Sequence, residues 1–193
     1  MIKKILFTSI IILFSLNCFS QKKNELRVYY GISDSELLRN DELTGAGSTD
    51  LKSFSEFGLK YLRNINNKLA LETGFNYSNA TIIIKPPFMG EQVASRKENF
   101  ELISIPLYAN YTLWNYFFIN GGPMIDFQIS DNSTDSQDGI GYSLGVGGKY
   151  SVKNFNFYLN PNFKRHALIP FDKENNHQKL TEFGIQVGIG YKF

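Results

Sequence analysis

Cysteine is almost missing: the chain of 193 residues has one, Cys18. A single cysteine excludes an internal disulfide framework and a Cys-based zinc cluster. Histidine is limited to His166 and His177, and tryptophan to Trp114. No Pro-, Gly- or Ser-rich tract marks a linker or a disordered tail. Charge of one sign is also lacking. The formal net charge of +2 is too small to point to nucleic acid, and no such partner is expected. No apolar run reaches the roughly 20 residues of a transmembrane helix. The length fits one domain, and a mean hydropathy of −0.22 would by itself describe a soluble protein. What is abundant is Phe (17), Tyr (11) and Gly (16), a mixture that favours strands and close backbone approach over helices.

The first twenty residues read as an export signal. Lys3-Lys4 precede an apolar run from Ile5 to Leu16, and Cys18-Phe19-Ser20 follow. A basic start, about a dozen apolar residues and a small residue at the end are the parts of a secretory signal peptide. Cleavage is expected after Ser20, leaving a mature domain of residues 21–193. A retained anchor fits less well, and lipidation of Cys18 fits poorly after Ser15-Leu16-Asn17. Lys3 and Lys4 account for the whole net charge, so the mature chain is formally neutral and free of cysteine.

Residues 21–193 alternate with period 2, the signature of strands whose side chains face opposite sides. The runs are Glu25–Ser33, Ser53–Arg63, Leu69–Ile84, Asn99–Thr112, Tyr116–Ser130, Gly139–Ser151, Phe155–Arg165 and Leu180–Phe193. A helical period is faintly visible at Ser35–Arg39 alone. Short connections at Asn64–Lys68, Leu113–Asn115 and Val152–Asn154 alternate with long ones at Asp34–Lys52, Lys85–Glu98, Asp131–Asp138 and His166–Lys179. Short turns at one end and long loops at the other describe an outer-membrane barrel. The fold class expected is therefore all-β, an eight-stranded antiparallel up-and-down transmembrane β-barrel.

The two faces of the runs differ. One carries no Asp, Glu, Lys or Arg. The other carries Arg27, Glu56, Lys60, Glu72, Asp126, Lys149, Lys164, Glu182 and Lys192 among Gly, Asn and Ser. A membrane barrel turns the apolar face to lipid and the polar face to its lumen. Tyr61, Tyr111, Trp114, Tyr150, Phe155 and Tyr191 lie near the short turns, as an interfacial girdle would. A soluble barrel with an aromatic core is the competing arrangement. An open edge has no partner in lipid, so the sheet must close. Pro106, Pro123 and Pro161 fall inside strands, where bulges are expected.

The closing Gly188-Ile189-Gly190-Tyr191-Lys192-Phe193, the run Ile105-Pro106-Leu107-Tyr108-Ala109-Asn110-Tyr111 and Ile119-Asn120-Gly121-Gly122-Pro123 are similar to one family. They resemble the outer-membrane β-barrel domain proteins of Gram-negative bacteria, the PorT-like and OmpX-like eight-stranded group. The resemblance covers Gln21–Phe193. It implies location in the outer membrane, with outer-membrane lipid and lipopolysaccharide as surroundings. It also implies that the last strand, ending in Phe193, is read by the barrel-assembly machinery.

Several motifs have plain explanations. Gly139-x-Gly141 and Gly145-x-Gly147 lack the spacing and the βαβ context of a dinucleotide fingerprint. Asp131, Asp135 and Asp138 have Ser136 and Tyr142 where a calcium loop needs Gly and Glu. A loose divalent-cation site there competes with a solvated acidic loop, which is the reading taken. His166 and His177 are read as surface-loop residues. No residue is assigned a catalytic, cofactor-binding or metal-binding role. The lumen charges are expected to pair into a plug, since unpaired buried charge costs several kcal/mol. Eight strands leave an interior just wide enough for its own side chains. The function expected is non-enzymatic, with surface loops making structural or adhesive contacts with an unidentified partner. A lipid-modifying enzyme and an exported soluble barrel holding an apolar ligand are the alternatives.

Overall fold

The computed structural model describes residues 24–38, 48–85, 95–131, 135–172 and 178–193. The expected signal peptide and His177 lie outside the described residues. The strands are β1 (Glu25–Leu38), β2 (Ser48–Asn64), β3 (Leu69–Lys85), β4 (Arg96–Leu113), β5 (Phe117–Gln128), β6 (Gly139–Val152), β7 (Phe155–Pro170) and β8 (Lys179–Lys192). They pair in chain order, and β1 pairs with β8 to close an all-antiparallel barrel. Closure leaves no strand edge unpaired, which lipid requires.

Side chains sort by the period-2 rule. Outward positions are apolar and exposed: Tyr30, Phe57, Phe75, Leu144, Val187 and Phe183 are each more than half accessible. Many inward positions are polar or charged and buried, among them Arg27, Glu56, Lys60, Glu72, Asp126, Lys164 and Glu182. A soluble barrel would have the opposite distribution. Tyr111, Trp114, Tyr116, Tyr150, Phe155 and Tyr191 form an exposed aromatic belt at the end with the short turns. Phe155 and Tyr191 stand opposite each other in the β7–β8 ladder and meet edge to face at 5.3 Å. In outer-membrane barrels the short-turn end is periplasmic.

Two local expectations are corrected. Ser35–Leu38 is strand, not helical turn, because β1 keeps pairing with β8 from Ser35↔Glu182 to Leu38↔Lys179. The prolines do not bulge the sheet. Each lacks an N–H and removes rungs on one side while the register continues. Thr73↔Leu107 and Asn76↔Ser104 flank the gap at Pro106. Gly145↔Asn162 and Gly148↔Leu159 flank the one at Pro161. Pro106↔Met124 and Ala109↔Gly121 flank the one at Pro123.

The bulges lie elsewhere. β2 shifts register between Lys52 and Ser55, where Ser53 has φ 57°. The β6–β7 ladder shifts between Ile140 and Tyr142. The extra β7 residues include Ala167, with φ 43°. That bulge makes two successive residues, His166 and Ala167, face inward.

Candidate functional site in the barrel lumen

Buried polar and charged side chains line the lumen, beginning at the end with the short turns. At the turn end Arg27 Nε donates to Glu25 Oε1 at 2.6 Å, and Asn156 Nδ2 donates to Glu25 Oε2 at 2.8 Å. The Arg27 guanidinium also lies over the rings of Tyr158 (4.7 Å) and Phe118 (5.5 Å). Such stacking offsets part of the desolvation of a buried cation. These rings and Tyr29 form a small aromatic cluster inside the barrel.

The charges continue upward through Glu72. Its oxygens take Lys60 Nζ at 3.0 Å and Asn110 Nδ2 at 2.8 Å, with Arg27 Nη1 at 3.9 Å. Lys60 also donates to Gln186 Oε1 (3.0 Å), and Gln186 Nε2 donates to Glu56 Oε1 (2.7 Å). Lys164 Nζ then joins Glu56 Oε2 (2.6 Å) to Glu182 Oε2 (3.1 Å). The carboxylates of Glu25, Glu56, Glu72, Asp126 and Glu182 thus stand in one connected set with Arg27, Lys60, Lys164 and His166. Paired in this way, buried charges are tolerated.

His166 corrects its expected place. It is not on a surface loop, because β7 runs on to Pro170 and the imidazole is 1% exposed. Its Nδ1 lies 3.0 Å from Asp126 Oδ2 and its Nε2 lies 2.8 Å from Glu182 Oε1. Both contacts are within ion-pair distance, so the ring is held between the two carboxylates. Ser104 Oγ donates to Asp126 Oδ1 at 2.6 Å. Ser, Asp and His are therefore neighbours in the wrong order for hydrolysis. A catalytic triad places the imidazole between serine and carboxylate, whereas here the carboxylate stands in the middle.

Above His166 the lumen turns apolar. Phe54, Ala80, Ile82, Phe100, Leu102 and Leu180 pack into one buried cluster, joined by Leu37, Leu51 and Ile84. Residues 135–138 fold over this cap. Gln137 is fully buried; its Nε2 donates to the Gln178 carbonyl at 2.8 Å, and Leu180 N–H donates to its Oε1 at 2.8 Å.

The acidic loop has a structural use. Gln128 N–H donates to Asp138 Oδ1 (2.5 Å), and Gln178 N–H donates to Asp135 Oδ2 (2.6 Å). Among the described residues no group of three or more His, Cys, Asp or Glu is arranged to hold a metal ion. Lys149 and Lys192 are only partly buried, at the periplasmic mouth. There Lys149 Nζ donates to Thr112 Oγ1 at 2.7 Å.

The family model for the outer membrane protein β-barrel domain matches residues 19–193. The chain belongs to that family. OprG from Pseudomonas aeruginosa has a similar fold, with TM-score 0.58 and 16% identity over 89% of this chain and 96% of that one. Ail, the attachment invasion locus protein of Yersinia pestis, was solved with the heparin analogue sucrose octasulfate. It aligns with TM-score 0.55 and 15% identity over 90% of this chain and 100% of its own. AlkL, solved in DMPC bilayers, aligns with TM-score 0.56 and 12% identity over 91% and 92%. At these identities the likeness is one of fold. No curated protein is detectably similar in sequence. As a family member this barrel is an integral protein of the outer membrane.

Proposed function

We propose that the protein is a non-catalytic outer-membrane barrel, exported by a signal peptide cleaved after Ser20. In this reading its lumen is closed to ion flow, and its loops make structural or adhesive contacts at the cell surface. The observation that carries the closed lumen is the unbroken set of contacts from Glu25 to Asp126, with an apolar cap and a folded loop above it. An ion crossing would have to break paired charges and then pass a dry constriction. The non-catalytic reading is supported by His166, which is held between two carboxylates under that cap rather than presented to a substrate.

Purified protein in planar bilayers is expected to hold the baseline current; stable, sizeable steps would overturn the closed lumen. Cells with and without the protein are expected to differ in attachment to a surface. Equal attachment would remove the loop role.

A further inference from the structure

The lipid-facing wall has a gap in it. One register row runs Phe117, Gly148, Leu159, Val187, Tyr30, Phe57 across successive strands. All but Gly148 put apolar side chains outward, each about half exposed. At Gly148 a Cβ would meet nothing nearer than the Tyr116 carbonyl oxygen, 3.9 Å away. A groove of about 870 Å³ lies on this stretch, lined by Val28, Val187, Ile189, Phe157, Tyr116 and Tyr150 among others.

The position of the groove indicates its occupant. It is continuous with the lipid-facing wall, in the half near the short turns. Elsewhere a convex wall touches a lipid chain on one side; within a groove the chain has partner atoms on several sides and gains more dispersion contact. Tyr116 and Tyr150 stand at its periplasmic end, where amphipathic rings favour headgroup level. Among the described residues, the side-chain charges exposed at this end are basic: Arg63, Lys68 and Lys153. Lys153 sits in the β6–β7 turn, three residues beyond Tyr150. Basic residues at a membrane surface attract anionic headgroups.

We propose that this groove is a binding site for an acyl chain of an anionic phospholipid in the periplasmic leaflet, with the headgroup drawn to Lys153. The inference rests on the outer-membrane placement and is independent of the closed lumen, which conductance tests separately.

The full chain is to be folded in detergent with phosphatidylglycerol or phosphatidylcholine of matched chains and examined by native mass spectrometry. The wild type is expected to retain one phosphatidylglycerol and several-fold less phosphatidylcholine. Gly148→Phe fills the gap from the outside and is expected to lose retention of either lipid. Lys153→Glu is expected to bring phosphatidylglycerol down to the phosphatidylcholine level. A heat-modifiable gel shift reports folding of each variant. Val187→Phe, on another strand, replaces Gly148→Phe if that variant fails to fold. Retention unchanged in the folded filling variant, equal retention of the two lipids by the wild type, or no retained lipid would each overturn the proposal.

Discussion

Lys164 Nζ lies 2.6 Å from Glu56 Oε2, which ties β7 to β2 across the lumen, with β8 and β1 between them in the closed sheet. The same ammonium holds Glu182 at 3.1 Å, so one cation balances two buried carboxylates. Removing one member of a buried pair costs roughly 3–5 kcal/mol, because the partner is left charged and dry. Lys164→Met is expected to lose about that much stability, read from urea unfolding in lipid vesicles through the Trp114 fluorescence. Adding Glu56→Gln should restore part of the loss. An unchanged midpoint for Lys164→Met would show that the cross-lumen pair carries no stability.

Adjacent glycines on β6 should respond differently to the same change. A Cβ on Gly147 would stand 2.3 Å from the Phe118 ring and 2.7 Å from the Leu159 carbonyl oxygen. Gly148 has open space outside. Gly147→Ala is expected to destabilise by about 1–3 kcal/mol through overpacking. Gly148→Ala should stay within about 0.5 kcal/mol of wild type. Equal effects of the two substitutions in the same unfolding assay would contradict the assignment of their faces.

The alternation legible in the sequence carried the strand count, the closed fold and the inward charges, because period 2 is fixed by backbone geometry. The strand ends were less legible. β7 continues past Arg165 because the inward phase of Asn160, Asn162 and Lys164 extends to His166. The bulge at Ala167 then breaks that phase and hides the continuation. The apolar cap was missed, although its signal was present: Phe54, Leu102 and Leu180 stand two positions before the inward Glu56, Ser104 and Glu182. The sequence pattern had left these residues on neither face, whereas phase places them in the lumen. The groove at Gly148 had no sequence signal, since it arises from a row of residues contributed by several strands.

Ala167 sits in left-handed backbone at φ 43°, a conformation that costs an L-residue about 1–2 kcal/mol. Ala167→Gly is expected to relieve that strain, less the greater freedom glycine has in the unfolded chain. The net gain should be up to about 1 kcal/mol in urea unfolding. Ala167→Val is expected to destabilise, because a β-branched residue is worst suited to that region. A loss of stability in Ala167→Gly would mean that the buried methyl contributes more than the strain costs.

Gln137 holds the folded loop to β8 through its own Nε2 and Oε1. Leucine is nearly the same size but offers neither group, so the Leu180 N–H loses the acceptor it has in Gln137 Oε1. An unsatisfied buried group costs about 1–3 kcal/mol, enough to release the loop without unfolding the barrel. Gln137→Leu is therefore expected to speed proteinase K cleavage between Ile129 and Asp138 on intact cells. It should not open a current in planar bilayers, because the apolar cluster and the paired charges beneath the loop remain. Cleavage at the wild-type rate would show that Gln137 does not hold the loop. A current in this variant would show that the loop, rather than the side chains beneath it, keeps ions from crossing.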